Sequence, residues 1–371
     1  MNTIVWGECH FNTLGLVQSL GKAGHRVTLL TDDIKGNFVC KSKYVKEIHL
    51  IQNYNIIDQI VSIIRLQTFK PFLFTCGDTQ ASFIDSNYET LSEICYLEGG
   101  LRNNDINYYR NKSNILRLAS EVGFNLPQNW LITINRVLPG DITFPVIVKA
   151  DNSVRGNKTP QLTCNNAKIL DRHLKQLGNE YFPVQVQEFI KKDYEIMIQG
   201  CSIGNGRQII MPIANRKIRH FPTINDAGSY GHTVLVDGDQ GLKLQCDLVL
   251  KLIKTIGYSG LFSVEFVVSR GKYYFLEVNF RNDGTSFLST ASGCNLPHIL
   301  CQSTISPISN KDCKYKPVYY MNVIPDFQNI RNGRVNFFKW FAQFLKCNVY
   351  YYFSWHDIYP FLGYIKNKII K

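Results

Sequence analysis

The stretch YYFLEVNFRNDGTS, residues 273–286, sets Glu277, Asn279 and Arg281 at every second position, with aromatic and aliphatic residues between them. Strand side chains alternate faces, so these three polar groups line one side. Upstream, GLFSVEFVV runs into Ser269-Arg270-Gly271-Lys272, a hairpin signal. A three-residue loop centred on Gly271 puts Glu265 directly across from Glu277, with Cβ atoms about 5 Å apart. Val264, Phe266, Leu276 and Val278 then form the opposite, apolar face. Two carboxylates facing each other on a half-buried sheet repel, and a cation removes the penalty. Glu265, Glu277 and the Asn279 amide are hard oxygen donors that suit Mg²⁺ (or Mn²⁺) completed by water and phosphate oxygens. The competing reading is a solvated polar face, and a slip of one residue in the loop would move Glu265 to the other side.

The rest of the chain frames that hairpin. At 371 residues it is too long for one core, so two or three domains are expected. With 45% hydrophobic and 19% charged residues the composition is globular. No apolar run reaches the roughly 18 residues of a membrane span. The first residues, MNTIVWGECH, lack the basic and apolar regions of a signal peptide, which points to the cytoplasm. Eleven cysteines are scattered without a CxxC pair and read as free, mostly buried thiols. The net charge of +12 is spread without a block of like charge, which suits anionic substrates better than nucleic acid.

TIVWG, RVTLLTD and FLFTCGD alternate with helical patterns over 13–23 and 56–69, a βαβα rhythm that predicts a Rossmann-like parallel sheet over 1–100. Its ligand end would carry the loops Gly7-Glu8-Cys9-His10 and Gly77-Asp78-Thr79. After a linker, residues 107–122 predict a helix. From there to residue 300 the pattern is α+β: strands FPVIVKAD, FPVQVQEFI, YEIMIQG, RQIIMPIA, LFSVEFVV and YYFLEVNF, with helices over 166–177 and 242–256. The segment 301–371 is aromatic and basic; it either packs on the core or lies on an anionic membrane, and Pro360 and Gly363 interrupt any long amphipathic helix.

Lys149 ends an apolar strand, where it either snorkels or meets a phosphate. Glu188, Phe189 and Ile190 form a strand end with an apolar wall and backbone groups fit for a purine, and Glu195 follows as a carboxylate for a ribose. This order of strand lysine, Glu–apolar–apolar hinge, second Glu and ExNxR hairpin resembles the ATP-grasp superfamily of carboxylate–amine ligases. GLFSVEF and EVNFRNDG bring the resemblance nearest to the D-aspartate-ligase-like branch. The resemblance covers residues 1–300 and implies an N-terminal domain (1–100) followed by a small lobe with the linker helix (101–180) and a large lobe with the metal site (181–300). It places Lys112 as the first nucleotide lysine. The phosphate loop of the family is glycine-rich; here ADNSVRGNKTP holds only Gly156, and Arg155 and Lys158 would substitute with side-chain charge.

The resemblance implies that a carboxylate attacks the γ-phosphate of ATP and that an amine displaces phosphate from the acyl phosphate. Lys112 and Lys149 would neutralise phosphate charge, and Arg281 would face the transferring group. Arg216, Lys217 and Arg219 form either a seat for an acidic co-substrate or a solvated loop, with Gly228, Gly231 and His232 in a mobile loop nearby. The leading expectation is amide formation between an amino acid such as aspartate and an amine on a cell-envelope or surface-polysaccharide precursor. A ligase acting on a sugar acid and a non-catalytic ATP-binding module are the alternatives. A peripheral membrane contact through the tail and a homodimer stay open as partners.

Overall fold

The alternation at the N-terminus builds an all-parallel sheet. In the computed structural model, which describes residues 1–152, 162–220, 228–308 and 315–369, β1 (Asn2–Trp6), β2 (Arg26–Thr31), β3 (Val45–Leu50), β4 (Phe72–Thr75) and β5 (Tyr96–Leu97) lie in the order β3-β2-β1-β4-β5. Helices α1 (Phe11–Lys22), α2 (Ile56–Arg65), α3 (Asp78–Ser86) and α4 (Tyr88–Ile94) run between the strands. The α1 stripe of Leu14, Leu16, Val17 and Leu20 is fully buried against the sheet. Phosphate-loop residues Arg155 and Lys158 lie outside the described residues.

Residues 107–122, expected as one helix, fall in two: α5 (Asp105–Arg110) and α6 (Lys112–Val122). Asn111 between them is extended and caps α6 by accepting the Asn114 N–H. The break is held from across the chain. Lys112 N donates to the Asp151 carbonyl at 2.9 Å, and Ser113 Oγ to Asp151 Oδ1 at 2.8 Å. Lys112 is thereby delivered beside the strand that carries Lys149.

That strand belongs to a small antiparallel sheet, β6 (Asn129–Ile132), β7 (Val146–Ala150), β8 (Leu162–Cys164) and β9 (Val184–Glu188), ordered β6-β9-β7-β8 and backed by α7 (Ala167–Gln176). The third sheet holds β10 (Tyr194–Ile203), β11 (Gln208–Arg219), β12 (Tyr230–Leu235), β13 (Gly260–Ser269), β14 (Lys272–Asn279), β15 (Tyr319–Met321) and β16 (Val349–Tyr350), in the order β14-β13-β10-β11-β12-β15-β16. One face of it packs on α6 and α8 (Gln240–Ile256) through Ile196, Ile198, Val264, Phe266 and Phe275.

The carboxylate hairpin has the expected pairing by a different route. Ser269 pairs with Lys272, so the loop is the two residues Arg270 and Gly271, both at positive φ (49° and 73°). Two-residue hairpin turns of this hand match the strand twist. On its own that loop would set Glu265 against Leu276. A bulge between the Glu265 and Phe266 pairs restores Glu265↔Glu277 and Ser263↔Asn279. The extra residue also reverses the faces, which puts Phe275 and Tyr273 in the core, on the side where Leu276 was expected.

After α9 (Phe287–Ala291) and α10 (Leu296–Gln302), the tail adds β15 and β16 to the large sheet and closes with α11 (Val323–Arg331), α12 (Phe337–Lys346) and α13 (Tyr359–Ile369). Trp340, Tyr351 and Tyr364 are buried against the body. Gly231 and His232, expected in a mobile loop, are instead paired residues of β12, opposite Lys217 and Arg216. Nine described cysteines are free, but Cys294 is disulfide-bonded. Folding brings cysteines together in ways that spacing alone does not disclose.

Candidate functional site

The sheet face opposite α6 and α8 is polar. Along it lie Glu195 and Gln199 of β10, Asn215 and Lys217 of β11, Ser263 and Glu265 of β13, and Glu277 and Asn279 of β14. Lys217, only 4% exposed, reaches Glu195 at 3.2 Å and Glu265 at 3.7 Å. Burial pulls its ammonium down, but Glu265 and Glu195 outweigh that and raise it. Glu195 is the mirror case: burial would raise it, yet Lys217, His220 and Lys192 together hold it at about 2. For Glu265 burial wins over Lys217, and Glu277, Glu195 and Asp283 add repulsion, so its carboxyl is raised.

Lysines approach from the small sheet and the linker. Lys112 Nζ stands 3.7 Å from Glu277 Oε2. Lys149 donates to Gln187 Oε1 at 2.9 Å and lies within the field of Glu277, Glu265 and Glu195; burial lowers its pKa. β9, flanked by β6 and β7, ends at Glu188, and Phe189 and Ile190 follow directly. Glu188 accepts the Gln128 N–H at 3.1 Å, the Phe189 N–H is taken by the Pro145 carbonyl at 2.9 Å, and the Phe189 ring stays 41% exposed.

The third contribution comes from the parallel sheet. Asp78, at the start of α3 beyond the carboxyl end of β4, takes Arg281 in a bidentate pair, Nε to Oδ1 at 2.7 Å and Nη2 to Oδ2 at 3.0 Å. Arg281 also donates to Asn279 Oδ1 at 3.2 Å. Arg110 adds a second guanidinium at 3.8 Å from Asp78, and its buried Nε has no hydrogen-bond partner. Burial opposes ionisation of Asp78, but Arg281 and Arg110 hold its carboxyl below the usual range. Asp78, Arg110, Lys112, Glu277 and Asn279 line one cavity. The segment after Arg281 is locked to the same sheet end, where Asn12 donates to the carbonyls of Cys76 and Asn282 at 2.7 and 3.1 Å.

Arg216, Lys217 and Arg219 lie on β11 and point to different partners, so neither a single basic seat nor a solvated loop describes them. Arg216 stacks on Tyr194 at 3.8 Å from its ring, beside His232 of β12. Arg219 is bound by Asp326 of the tail, at 3.0 and 2.6 Å. His232 packs on Tyr319, and burial lowers its pKa. Sequence reasoning missed Arg110, whose signal was a charge next to the Asn cap of α6. It also missed Asn215, fully buried with neither amide atom bonded. A polar residue inside an apolar strand run was the available signal there.

Glu265, Glu277 and Asn279 present two carboxylates and one amide on one face. Asn279 turns Nδ2 to Glu265 Oε1 at 3.4 Å and its oxygen to Arg281. Among the described residues no group of three or more His, Cys, Asp or Glu side chains is placed to hold a metal unaided. A two-carboxylate site is what Mg²⁺ uses when phosphates and water supply the remaining ligands.

No protein-family model matches the chain. It is 25% identical over 256 residues to a D-aspartate ligase of Enterococcus faecium, an alignment that covers 64% of this chain and 59% of that protein. The chain thus spans under two thirds of that relative's length. The L-amino acid ligase of Bacillus licheniformis superposes with a TM-score of 0.65 at 16% identity, over 85% of this chain and 78% of that one. The biotin carboxylase domain of the Hydrogenobacter thermophilus 2-oxoglutarate carboxylase, solved with MgADP, ADP and bicarbonate, gives 0.65 at 14% identity, over 85% and 73%. The fold is the two-lobed ATP-grasp fold these structures share: a Rossmann-like parallel sheet, then a small and a large antiparallel-type sheet with the lysines and carboxylates between them.

Proposed function

We propose that this ATP-grasp chain is an ATP-dependent carboxylate–amine ligase. The observation that carries the reading is the convergence of Lys112, Lys149 and Arg281 on the opposed carboxylates Glu265 and Glu277. Three cations and a pair of carboxylates in one cleft suit a polyphosphate with its divalent ion, and the likenesses to ligases and to an MgADP-bound carboxylase domain support it. ATP would lie between the lobes, its base near Phe189 and Ile190 just past the strand end at Glu188, its ribose toward Glu195. Glu265, Glu277 and Asn279 would hold Mg²⁺, which supplies charge neutralisation between phosphates. The raised Glu265 carboxyl, crowded by Glu277, is the kind of site a cation relieves.

The chain's own residues then have distinct tasks. Lys112 and Lys149 neutralise phosphate oxygens. Arg281, aimed by Asp78, meets the transferring phosphoryl group as the substrate carboxylate oxygen bonds to the γ-phosphorus and the bond to the ADP oxygen breaks. The amine nitrogen next bonds the acyl carbon, the acyl–phosphate bond breaks, and the nitrogen releases its proton. Charge grows on oxygen in both steps, so positioning and preorganised cations carry the rate. In this reading the acid is an amino acid, aspartate by likeness to the E. faecium D-aspartate ligase, and the amine belongs to a cell-envelope or surface-polysaccharide precursor. Arg216 and His232 are candidates for the acidic co-substrate, and Lys217 for holding the two carboxylates apart.

Phosphate release from Mg·ATP, run against D- and L-amino acids with an amine acceptor, tests this. One acid should support release, and Glu277→Ala should abolish it with the fold retained. Release unchanged in that variant would remove Glu277 from the site.

A further inference from the structure

Helix α12 has two apolar faces, and the body covers one. Trp340 is buried and stacks with Phe344. Phe337, Phe338, Phe341 and Leu345 remain exposed, Phe338 at 79% and Leu345 at 67%. They form one arc at helical spacing, and Ile324 and Phe327 on α11, also exposed, extend the apolar surface. A monomeric protein seldom leaves such a patch uncovered without use.

The charge around the patch selects its occupant. From residue 315 to the end of the sequence there are two acidic residues, Asp326 and Asp357. Both are turned inward, 0% and 2% exposed. Asp326 accepts from Arg219, Ser229 Oγ (2.6 Å) and Trp340 Nε1 (2.8 Å). Asp357 accepts from Ser42 Oγ (2.5 Å), the Lys43 N–H (3.0 Å) and Gln18 Nε2 (3.1 Å). The outward charge of this region is therefore cationic, with Arg331, Arg334, Lys339 and Lys346 exposed around the aromatics.

We propose that the α11–α12 face docks on a membrane surface containing anionic lipid. Phenylalanines flanked by lysines, with no exposed acid among them, are what an interfacial helix presents to headgroups. A second copy of the chain would bring cations against cations. At ten residues α12 cannot span a bilayer, and among the described residues no helix is long and apolar enough to do so, so the helix lies on the surface. Docking would orient the site. Through β15 and the Arg219–Asp326 pair, the tail is built into the same sheet as Lys217. The inference stands whether or not the ligase reading does.

Sedimentation of the whole protein with vesicles tests it, using phosphatidylcholine alone or with about a third phosphatidylglycerol. The protein should sediment with the anionic vesicles and be released by salt. In Phe338→Ser/Phe341→Ser the affinity should fall on the order of tenfold or more, and in Lys339→Gln/Lys346→Gln it should fall with a shallower salt dependence. All four residues are exposed, and an unchanged thermal melting midpoint in both variants would confirm an intact fold. No sedimentation with anionic vesicles overturns the proposal. So does binding that the phenylalanine variant leaves unchanged, or a lipid-free dimer that the same variant abolishes.

Discussion

Lys217→Met separates the electrostatics of the site from its packing. The ammonium is almost fully buried between two carboxylates, 3.2 Å from Glu195 and 3.7 Å from Glu265. At an effective dielectric of about 20 each contact is worth roughly 5 kcal/mol before the cost of burial. The net cost of the substitution is smaller. Glu265, already raised by burial, can take up a proton once its cation is gone. Glu195 keeps Lys192 at 2.5 Å. Breaking a buried pair by removing one partner typically costs about 3–5 kcal/mol, and these two compensations put Lys217→Met near the lower end, about 3 kcal/mol at neutral pH. The pH dependence gives an internal control. Glu195 is held at about 2, below the ordinary glutamate value of roughly 4.3. Its contribution is therefore present above about pH 4.3 and is lost as pH falls through about 2. Urea midpoints of the two proteins should differ at pH 7 and converge as the pH drops below about 4, where Glu195 starts to protonate in the variant first. Saturating Mg·ATP should narrow the gap at pH 7, since cationic charge returns to Glu265. Equal midpoints at pH 7, or a gap that persists undiminished to pH 3, would refute the argument that Lys217 is held by these two carboxylates.

Asp78→Asn leaves the shape of the Arg281 contact but removes its charge; phosphate release should drop about tenfold to a hundredfold with nucleotide affinity unchanged, because misplacing a reacting-site group costs that much. Nucleotide titration beside the release assay distinguishes this from loss of binding. Asn215→Val removes a buried amide that has no partner, which should raise the urea midpoint by about 1–2 kcal/mol of stability and raise KM for the amino acid if the amide contacts it. A loss of stability would show that Asn215 is satisfied in the folded protein. Asp326→Asn removes the buried charge opposite Arg219 and turns one oxygen into a donor, so either Arg219 Nη2 and Trp340 Nε1 lose their acceptor or Arg219 Nε, Ser229 and Asn329 do. It should cost about 3–5 kcal/mol and expose the tail to limited proteolysis before the body. Gly231→Ala places a Cβ 2.3 Å from the Arg216 carbonyl and 2.4 Å from the Tyr320 hydroxyl. Backbone on one side leaves no room, so stability should fall by about 1–3 kcal/mol, read by thermal melting.

What the sequence could reveal about this site followed from distance along the chain. The Glu265↔Glu277 pairing was legible because both residues sit on one hairpin, where alternation and a Gly-containing turn constrain the register. Even so, the turn is shorter than expected, and a bulge supplies the missing residue. Nothing in the sequence marks that bulge except its effect, a hydrophobic pattern in YYFLEV that fits neither alternation throughout. β3 escaped notice for a related reason: VKEIHL lies at the sheet edge, where charged side chains blunt the apolar signal. Contacts between distant segments left no local trace. Asp78 meets Arg281 across 203 positions and Arg219 meets Asp326 across 107, so the three basic residues of ANRKIRH looked alike in sequence while their partners divide them among three tasks. The one long-range inference available was physical rather than statistical. A parallel sheet offers its ligands at the carboxyl ends of its strands, which singled out the loop containing Asp78. Strand alternation singled out the carboxylate hairpin, while Lys149 was read from its place at a strand end and Lys112 from the family resemblance. That the two meet at Arg281 follows from neither rule alone. It requires the Asn12–Asn282 bonds that seat the end of the hairpin on the end of the sheet, and those amides carried no signal that set them apart from ordinary turn residues.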